Sequence, residues 1–145
     1  MTIPNLKEQI IEVLQQGHVL SLGTLDNQGV WVADVIYVHD NELNIYWMSY
    51  ESTRHSKAIK INQKVAGTIT VREKEDDLGL QIEGRAHATQ STRELLDKYQ
   101  QKRNRPSSKN EEEILNGRKW YCLKPTLIQL LNKKEFGYEK KTLQL

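Results

Sequence analysis

Two β-rich runs joined by a short polar turn are the feature that most constrains the fold of this chain. The runs are HVLSLGTL (residues 18–25) and VWVADVIYV (residues 30–38), and the segment between them reads DNQG. A short polar connection that contains glycine is typical of an antiparallel hairpin, because glycine tolerates the backbone geometry of a tight turn. We therefore predict an antiparallel sheet that begins with this hairpin.

Later parts of the chain supply more strands of the same kind. A second turn around Asp40 and Asn41 leads into ELNIYWMS. Three further β-rich runs follow, namely KVAGTITVRE, LGLQIEGRAHAT and KWYCLKPTLIQLL. Pro125 lies inside the last of these runs and predicts an edge position or a bulge, because proline cannot donate to a ladder. The tail KKEFGYEKKTLQL can add one final short strand.

Short helices are predicted between these strands. Apolar residues recur at helical spacing in IPNLKEQIIEVLQQG, and Gly17 is a suitable end. Ser52 or Thr53 can cap a second helix, and Ser91 with Glu94 forms a capping-box pattern before a third. NEEEILNG predicts a weaker fourth helix. The class is mainly β (α+β): a six-stranded antiparallel barrel with short peripheral helices, or else an open α+β sheet, which the pattern alone does not separate.

Length and composition exclude several classes of protein. A chain of 145 residues is predicted to form a single domain, 1–145. Cys122 is the only cysteine, which excludes an intramolecular disulfide and fits a reducing, cytoplasmic location. The formal net charge of +2 is too small to argue for a nucleic-acid partner. No apolar run reaches the roughly 20 residues that a membrane span needs, and no signal-peptide core is evident.

Hydroxyl and cationic side chains crowd the point where the third strand meets the second helix, within IYWMSYESTRHSKAIKINQKVAG (residues 45–67). Arg54 and His55 fall in the first helical turn, where cations are unfavourable because the helix dipole is positive there. A phosphate would complete this arrangement by accepting from the free amides, from Ser49 and Thr53, and from Arg54. The alternative is that Thr53 only caps the helix and that the cations are solvated.

The same segment resembles the FMN-binding segment of the pyridoxamine 5'-phosphate oxidase-like split-barrel family. Thr53-Arg54-His55 falls on the Ser-Arg-Lys of that family, and Asn62 falls on its helix-terminal asparagine. Met48-Ser49 falls on the Tyr-Thr pair whose hydroxyl helps to hold the FMN phosphate. Gly84-Arg85-Ala86 stands at the family's Gly-basic-Ala strand position. The similarity covers most of residues 17 to 90 and the terminal WYCLKPTLIQLL.

This resemblance implies a six-stranded split β-barrel that forms a homodimer with FMN at the subunit interface. It also implies a cofactor site in which Ser49, Thr53, Arg54 and His55 hold the phosphate. Backbone around Val35, Ile36 and Met48 would then face the isoalloxazine ring.

Some positions depart from the family pattern. The family's lysine is His55 here, which carries a weaker charge at neutral pH. Gln81 is expected to replace a flavin-contacting glutamine that the family has two residues earlier. Lys141, or its neighbour Lys140, is expected to supply a phosphate contact that the second strand lacks.

A substrate-phosphate motif of the oxidase has a partial counterpart in this chain. Tyr99, Arg103 and Ser107 have the spacing of its Tyr, Arg and Ser, and residues at i and i+4 share one helix face. The alternative is a solvated basic helix end. We favour the alternative because the oxidase's C-terminal Arg-x-His is missing, so vitamin B6 phosphate is not the expected substrate.

Three functions are compatible with these observations. The first is an FMN-dependent oxidoreductase whose substrate is unknown, and the second is a non-enzymatic flavin or haem carrier. The third is a basic interaction module using residues 98–109 and 133–141, which ranks last because three glutamates follow the first stretch at once. The four histidines are scattered, so no metal site is predicted.

Overall fold

The computed structural model of the protein describes residues 4–72, 76–106 and 110–145. The helices in these ranges are α1 (Leu6–Gln16), α2 (Arg54–Ile61), α3 (Arg93–Lys102), α4 (Glu111–Leu115) and α5 (Lys133–Phe136). The strands are β1 (Val19–Asp26), β2 (Gly29–Ile36), β3 (Val38–His39), β4 (Ile45–Ser49), β5 (Lys64–Arg72), β6 (Leu78–Thr89), β7 (Lys119–Asn132) and β8 (Lys141–Gln144).

All strand pairs are antiparallel, and the sheet curls into a half-open barrel. Its order is β2-β1-β5-β6-β7-β4-β3, with β8 added beside β7. Six of the strands have five residues or more, while β3 and β8 are short additions. The split-barrel class is therefore confirmed. β2 approaches β4 without a hydrogen-bonded ladder, so the barrel stays open along this seam.

Local sequence explains the turn of the first hairpin and a β-bulge between β6 and β7. The Asp26 carboxylate accepts from the Gln28 amide at 2.9 Å, and Gly29 has a φ of 115°, which favours glycine. Along the β6–β7 pair, Glu83 lies opposite Leu127 but Gly84 lies opposite Pro125. Thr126 is thus the extra residue of a bulge, which is one of the two arrangements that Pro125 predicted.

Two apolar clusters hold the fold together. The larger fills the barrel, and α1 closes one end of it through Ile10, Val13 and Leu14. The Tyr37 hydroxyl donates to the Leu14 carbonyl at 2.8 Å, which fixes the end of α1 against the sheet. The smaller cluster packs α3 and α4 against the far side of the sheet around Trp120.

Helix starts follow the predicted chemistry with one correction. Thr53 is the N-cap of α2 and accepts from the Ser56 amide. The N-cap of α3 is Thr92, not Ser91, because the Thr92 side chain accepts from the Leu95 amide. The Ser91 hydroxyl instead donates to the Glu111 carboxylate at 2.8 Å, which links α3 to α4.

No helix among the described residues is long and apolar enough to cross a membrane.

Replacing Gly84 by alanine should destabilise the protein by about 1–3 kcal/mol. A Cβ at Gly84 would overlap the Lys124 carbonyl oxygen, which the bulge holds in place. At Gly23 an added Cβ would meet the Ala66 carbonyl oxygen at 3.3 Å, so Gly23→Ala is the milder control. Urea unfolding measures both, and equal losses of unfolding free energy would contradict the role of the bulge.

Candidate functional site

The candidate site is built where β4 ends and α2 begins. Ser49 is the last residue of β4, and Thr53 caps α2 after a short loop. The Thr53 hydroxyl contacts the Tyr50 carbonyl at 3.0 Å, accepts from the Ser56 amide at 3.2 Å, and lies 2.7 Å from the Ser56 hydroxyl. These contacts fix the first turn of the helix.

His55 joins the end of the strand to the helix cap. Its Nε2 lies 2.8 Å from the Ser49 hydroxyl and 3.4 Å from that of Thr53. Burial lowers the pKa of His55 below its ordinary value of 6.5, so the imidazole is neutral at neutral pH. By helix geometry, the amides of Arg54 and His55 have no intrahelical acceptor. Two hydroxyls, an imidazole and a helix N-terminus thus meet in one place, which we call the α2 site (Ser49, Thr53, Arg54 and His55).

Arg54 is held by two residues that sequence reasoning did not connect to it. Its guanidinium makes two contacts with the Asp26 carboxylate, at 3.0 and 3.3 Å, and stacks over the Trp31 ring at 4.4 Å from the centroid. Hydrogen bonding from Arg54 is the main cause that lowers the pKa of Asp26. The sequence indicates only a turn at Asp26, and no sequence signal pairs this residue with a position 28 residues later.

The α2 site fits a phosphate ester by the chemistry of its donors. Hydroxyl, imidazole, guanidinium and free amide groups all donate to phosphate oxygens. Asp26 occupies one side of the Arg54 guanidinium through Nε and Nη2, while Nη1 makes no contact with it. A phosphate at this position would therefore share Arg54 with Asp26.

The residues expected at the flavin ring lie along the open seam. The side chains of Val35 and Met48 are buried in the two apolar clusters, and Ile36 packs beside the smaller one. Among the described strands, β2 pairs with β1 alone. The backbone N–H and C=O groups around Val35 and Ile36 that point away from β1 therefore remain available to a ligand. This is consistent with backbone contacts rather than side-chain contacts at these positions.

Gln81 is exposed on the outer face of β6, and the tail provides it with a partner. Its amide oxygen accepts from Lys140 Nζ at 2.7 Å. Lys141 instead lies 3.8 Å from Glu139 and above the Phe136 ring. Of the two tail lysines left open by the sequence, Lys140 is the one that contacts Gln81.

Two residues of the partial substrate motif contact each other, and one of them, Tyr99, is buried. Tyr99 is only 3% exposed and belongs to the smaller apolar cluster, where its ring packs edge-on against Trp120. Its hydroxyl accepts from Arg103 at 3.2 Å. Ser107 lies outside the described residues.

Within the described parts of the chain, no group of three or more histidine, cysteine or acidic side chains could hold a metal ion.

Comparisons with known proteins agree with this architecture. The family model described as pyridoxamine 5'-phosphate oxidase matches residues 6–132, so the chain belongs to this family. A UPF0306 protein of Yersinia pseudotuberculosis is 36% identical over 74 residues, a match that covers 49% of this chain and 50% of that protein. The match thus spans about half the length of that relative.

Solved structures share the fold at low sequence identity. General stress protein 26 of Bacillus anthracis superposes with a TM-score of 0.71 at 18% identity, covering 97% of this chain and 98% of that one. The haem storage protein HutZ of Vibrio cholerae superposes with a TM-score of 0.63 at 17% identity, covering 97% and 95%. At these identities the likeness shows the fold alone.

Acid should destabilise the wild-type protein more than the His55→Gln variant. The folded protein holds the pKa of His55 below 6.5, so the unfolded chain takes up the proton more readily, and stability falls as the pH drops through the unfolded value. Urea unfolding from about pH 8 to about pH 5 measures this effect.

An exposed histidine provides the control for this measurement. His18→Gln changes the same residue type outside the site and should retain the wild-type pH profile. Parallel profiles for the wild type and His55→Gln would show that the buried imidazole does not contribute.

Proposed function

We propose that this protein binds FMN, with the phosphate in the α2 site, and acts as an oxidoreductase of the pyridoxamine 5'-phosphate oxidase-like type. The observation that carries the proposal is the convergence of Ser49, Thr53 and His55 at the N-terminus of α2, beside Arg54. When bound, FMN supplies hydride or electron transfer at its ring. The protein's part is to hold the phosphate, to orient the ring along the seam, and to exclude water.

The neutral imidazole of His55 supports phosphate binding in a particular way. It replaces the family's lysine, so it orients the Ser49 hydroxyl by hydrogen bonding rather than adding a fixed charge. Arg54 is then the principal cation of the α2 site. Its stacking on Trp31 and pairing with Asp26 restrict the guanidinium to one arrangement, which lowers the entropy lost when a ligand binds.

A passive flavin or haem carrier is the second candidate. It is favoured by the burial of Tyr99, because the hydroxyl of this residue, which the substrate-phosphate motif would use, is held by Arg103 inside the smaller apolar cluster. Among the structural neighbours, HutZ is described as a haem storage protein. Stopped-flow mixing of the FMN-loaded protein with NADH or NADPH separates the two candidates, because only an oxidoreductase bleaches the flavin band on a catalytic timescale.

We also propose that two copies pack together through the β1–β2 hairpin. Val30 and Val32 are 81% and 65% exposed on the outer face of β2, and Leu25 stands opposite Val30 on β1. An apolar strip of this kind on a strand at the sheet edge is typical of a surface that another chain covers. A second copy seated there would lie beside the seam and help to enclose the cofactor.

Arg54→Ala should weaken FMN binding by about ten- to a hundredfold, because one charge-assisted contact to phosphate contributes about 1.5–3 kcal/mol. Quenching of flavin fluorescence in a titration gives the affinity. Riboflavin, which lacks the phosphate, should bind the variant and the wild type equally well.

Lys60→Ala is the matched control for this experiment. Lys60 lies in the last turn of α2, at the end opposite the α2 site, and its ammonium pairs with Glu51. Equal losses in the two variants, or an equal loss of riboflavin binding in Arg54→Ala, would remove the phosphate from the α2 site. No binding of FMN to the wild-type protein would reject the proposed function altogether.

Val30→Glu should shift the protein from dimer to monomer, because a buried unpaired carboxylate is costly in an apolar interface. Sedimentation velocity measures the change. Tyr138→Glu places the same charge on another exposed residue outside the hairpin and should leave the dimer intact. A monomeric wild-type protein, or a dimer insensitive to Val30→Glu, would contradict this interface.

A further inference from the structure

A cavity of about 440 Å³ is lined by the end of α1, by β3 and the turn after it, and by one face of α3. Leu14 and Val38 are the buried apolar part of the lining, whereas Asn41 and Gln101 are exposed, so the cavity opens to solvent. Its volume suits a small molecule. Among the described residues that line it, none belongs to β1 or β2, so the dimer contact through the hairpin does not use this cavity.

Lys102 is the partly buried amine of this cavity. Its Nζ donates to the Tyr37 backbone carbonyl at 2.6 Å and lies 3.7 Å from the centroid of the Tyr37 ring. Among the residues that the structure describes, no carboxylate pairs with this amine. Burial therefore lowers the pKa of Lys102 to about 8.

A lysine in this environment is a nucleophile at neutral pH. About a tenth of an amine with a pKa near 8 is unprotonated at pH 7, whereas an ordinary lysine amine is unprotonated to less than about 0.1%. The neutral amine of Lys102 keeps two N–H groups, so one of them can still donate to the Tyr37 carbonyl. The nitrogen lone pair then remains free to attack a carbonyl carbon.

His39 supplies a proton acceptor to the same cavity. Its Nδ1 lies 3.0 Å from the Asp40 backbone carbonyl oxygen, which can only accept, so Nδ1 carries the ring proton. Burial lowers the pKa of His39 below 6.5, so the ring is neutral at pH 7 and its Nε2 is a base. The Asp40 carboxylate is held by Asn44 and Tyr46 and is not paired with the amine of Lys102.

Lys98 adds a cation one turn before Lys102, on the same face of α3. Its Nζ lies 3.4 Å from the His39 backbone carbonyl and 3.5 Å from the Glu94 carboxylate. The Glu94 side chain is 79% exposed, so this is a surface ion pair of small net energy. An acidic group on a ligand can therefore take its place beside Lys98.

We propose that Lys102 forms a reversible imine with a small aldehyde or ketone that carries an acidic group. The amine nitrogen attacks the carbonyl carbon and loses both of its protons, which His39 passes to the carbonyl oxygen. A C=N bond forms and one water leaves, so no oxidant or reductant is consumed. Lys98 holds the acidic group, and Leu14 and Val38 pack against the carbon chain of the ligand. None of the α2 site residues lines this cavity, so the proposal does not rest on FMN binding.

Borohydride trapping in the full-length chain tests this proposal. Glyoxylate is an acidic aldehyde, and acetaldehyde is a small neutral one. Each is mixed with the protein at pH 7 and quenched at successive times with borohydride, which reduces an imine to a stable amine that peptide mass spectrometry locates. Glyoxylate should label Lys102 about tenfold or more faster than Lys7, an exposed lysine of α1 that does not line the cavity.

Two variants test the roles of the neighbouring side chains. Lys98→Met should slow the labelling of Lys102 by glyoxylate about two- to fivefold relative to acetaldehyde, because only glyoxylate carries the charge that Lys98 holds. His39→Gln should slow labelling by both aldehydes about tenfold or more and leave the final extent unchanged, because a base changes the rate and not the equilibrium. Urea unfolding of each variant verifies that the fold is retained.

Three results would overturn the proposal. Labelling of Lys102 no faster than that of Lys7 would show that its amine is an ordinary lysine. An equal effect of Lys98→Met on the two aldehydes would remove the acidic group from the ligand. A fall in the final extent of labelling in His39→Gln that matches the fall in rate would show that His39 only shapes the cavity.

Discussion

The contact between Arg54 and Asp26 ties the first turn of α2 to the end of the first hairpin. Among the described strands, β2 has no ladder partner at the seam, so side-chain contacts must hold this side of the barrel. The side chains of the pair are 29% and 13% exposed, so the interaction is shielded from solvent more than an ordinary surface ion pair. Trp31 packs against the guanidinium from β2 and extends the same link. The position of the α2 site depends on this three-residue connection.

Much of this architecture could be predicted because it is local. The hairpin turn, a cap at Ser52 or Thr53, and an edge position or bulge at Pro125 each follow from a few neighbouring residues. The structure has the hairpin, the Thr53 cap and the bulge. The cap of α3 was predicted one residue early because Ser91 and Thr92 both suit that position. In the structure Ser91 bonds to Glu111 instead, and these two residues are 20 positions apart in the sequence.

The candidate site was harder to predict because it combines near and distant residues. Ser49, Thr53 and His55 lie within seven positions, so their convergence follows from one strand end and one helix start. The Asp26 partner of Arg54 and the Lys140 partner of Gln81 come from other elements, and a single sequence carries no signal for such pairs. The direction of Tyr99 is likewise set by Trp120 in the smaller cluster, not by its own helix.

The balance of charge around Arg54 bears on what the α2 site can bind. In the α2 site the single fixed cation already pairs with Asp26, so the selectivity for a phosphate that we propose would come from hydroxyls, amides and geometry. Trp31 packs against the guanidinium of Arg54 from β2, so this cation is held from a second direction. A change that moved Trp31 would therefore alter the packing on Arg54 and disturb the geometry of the α2 site.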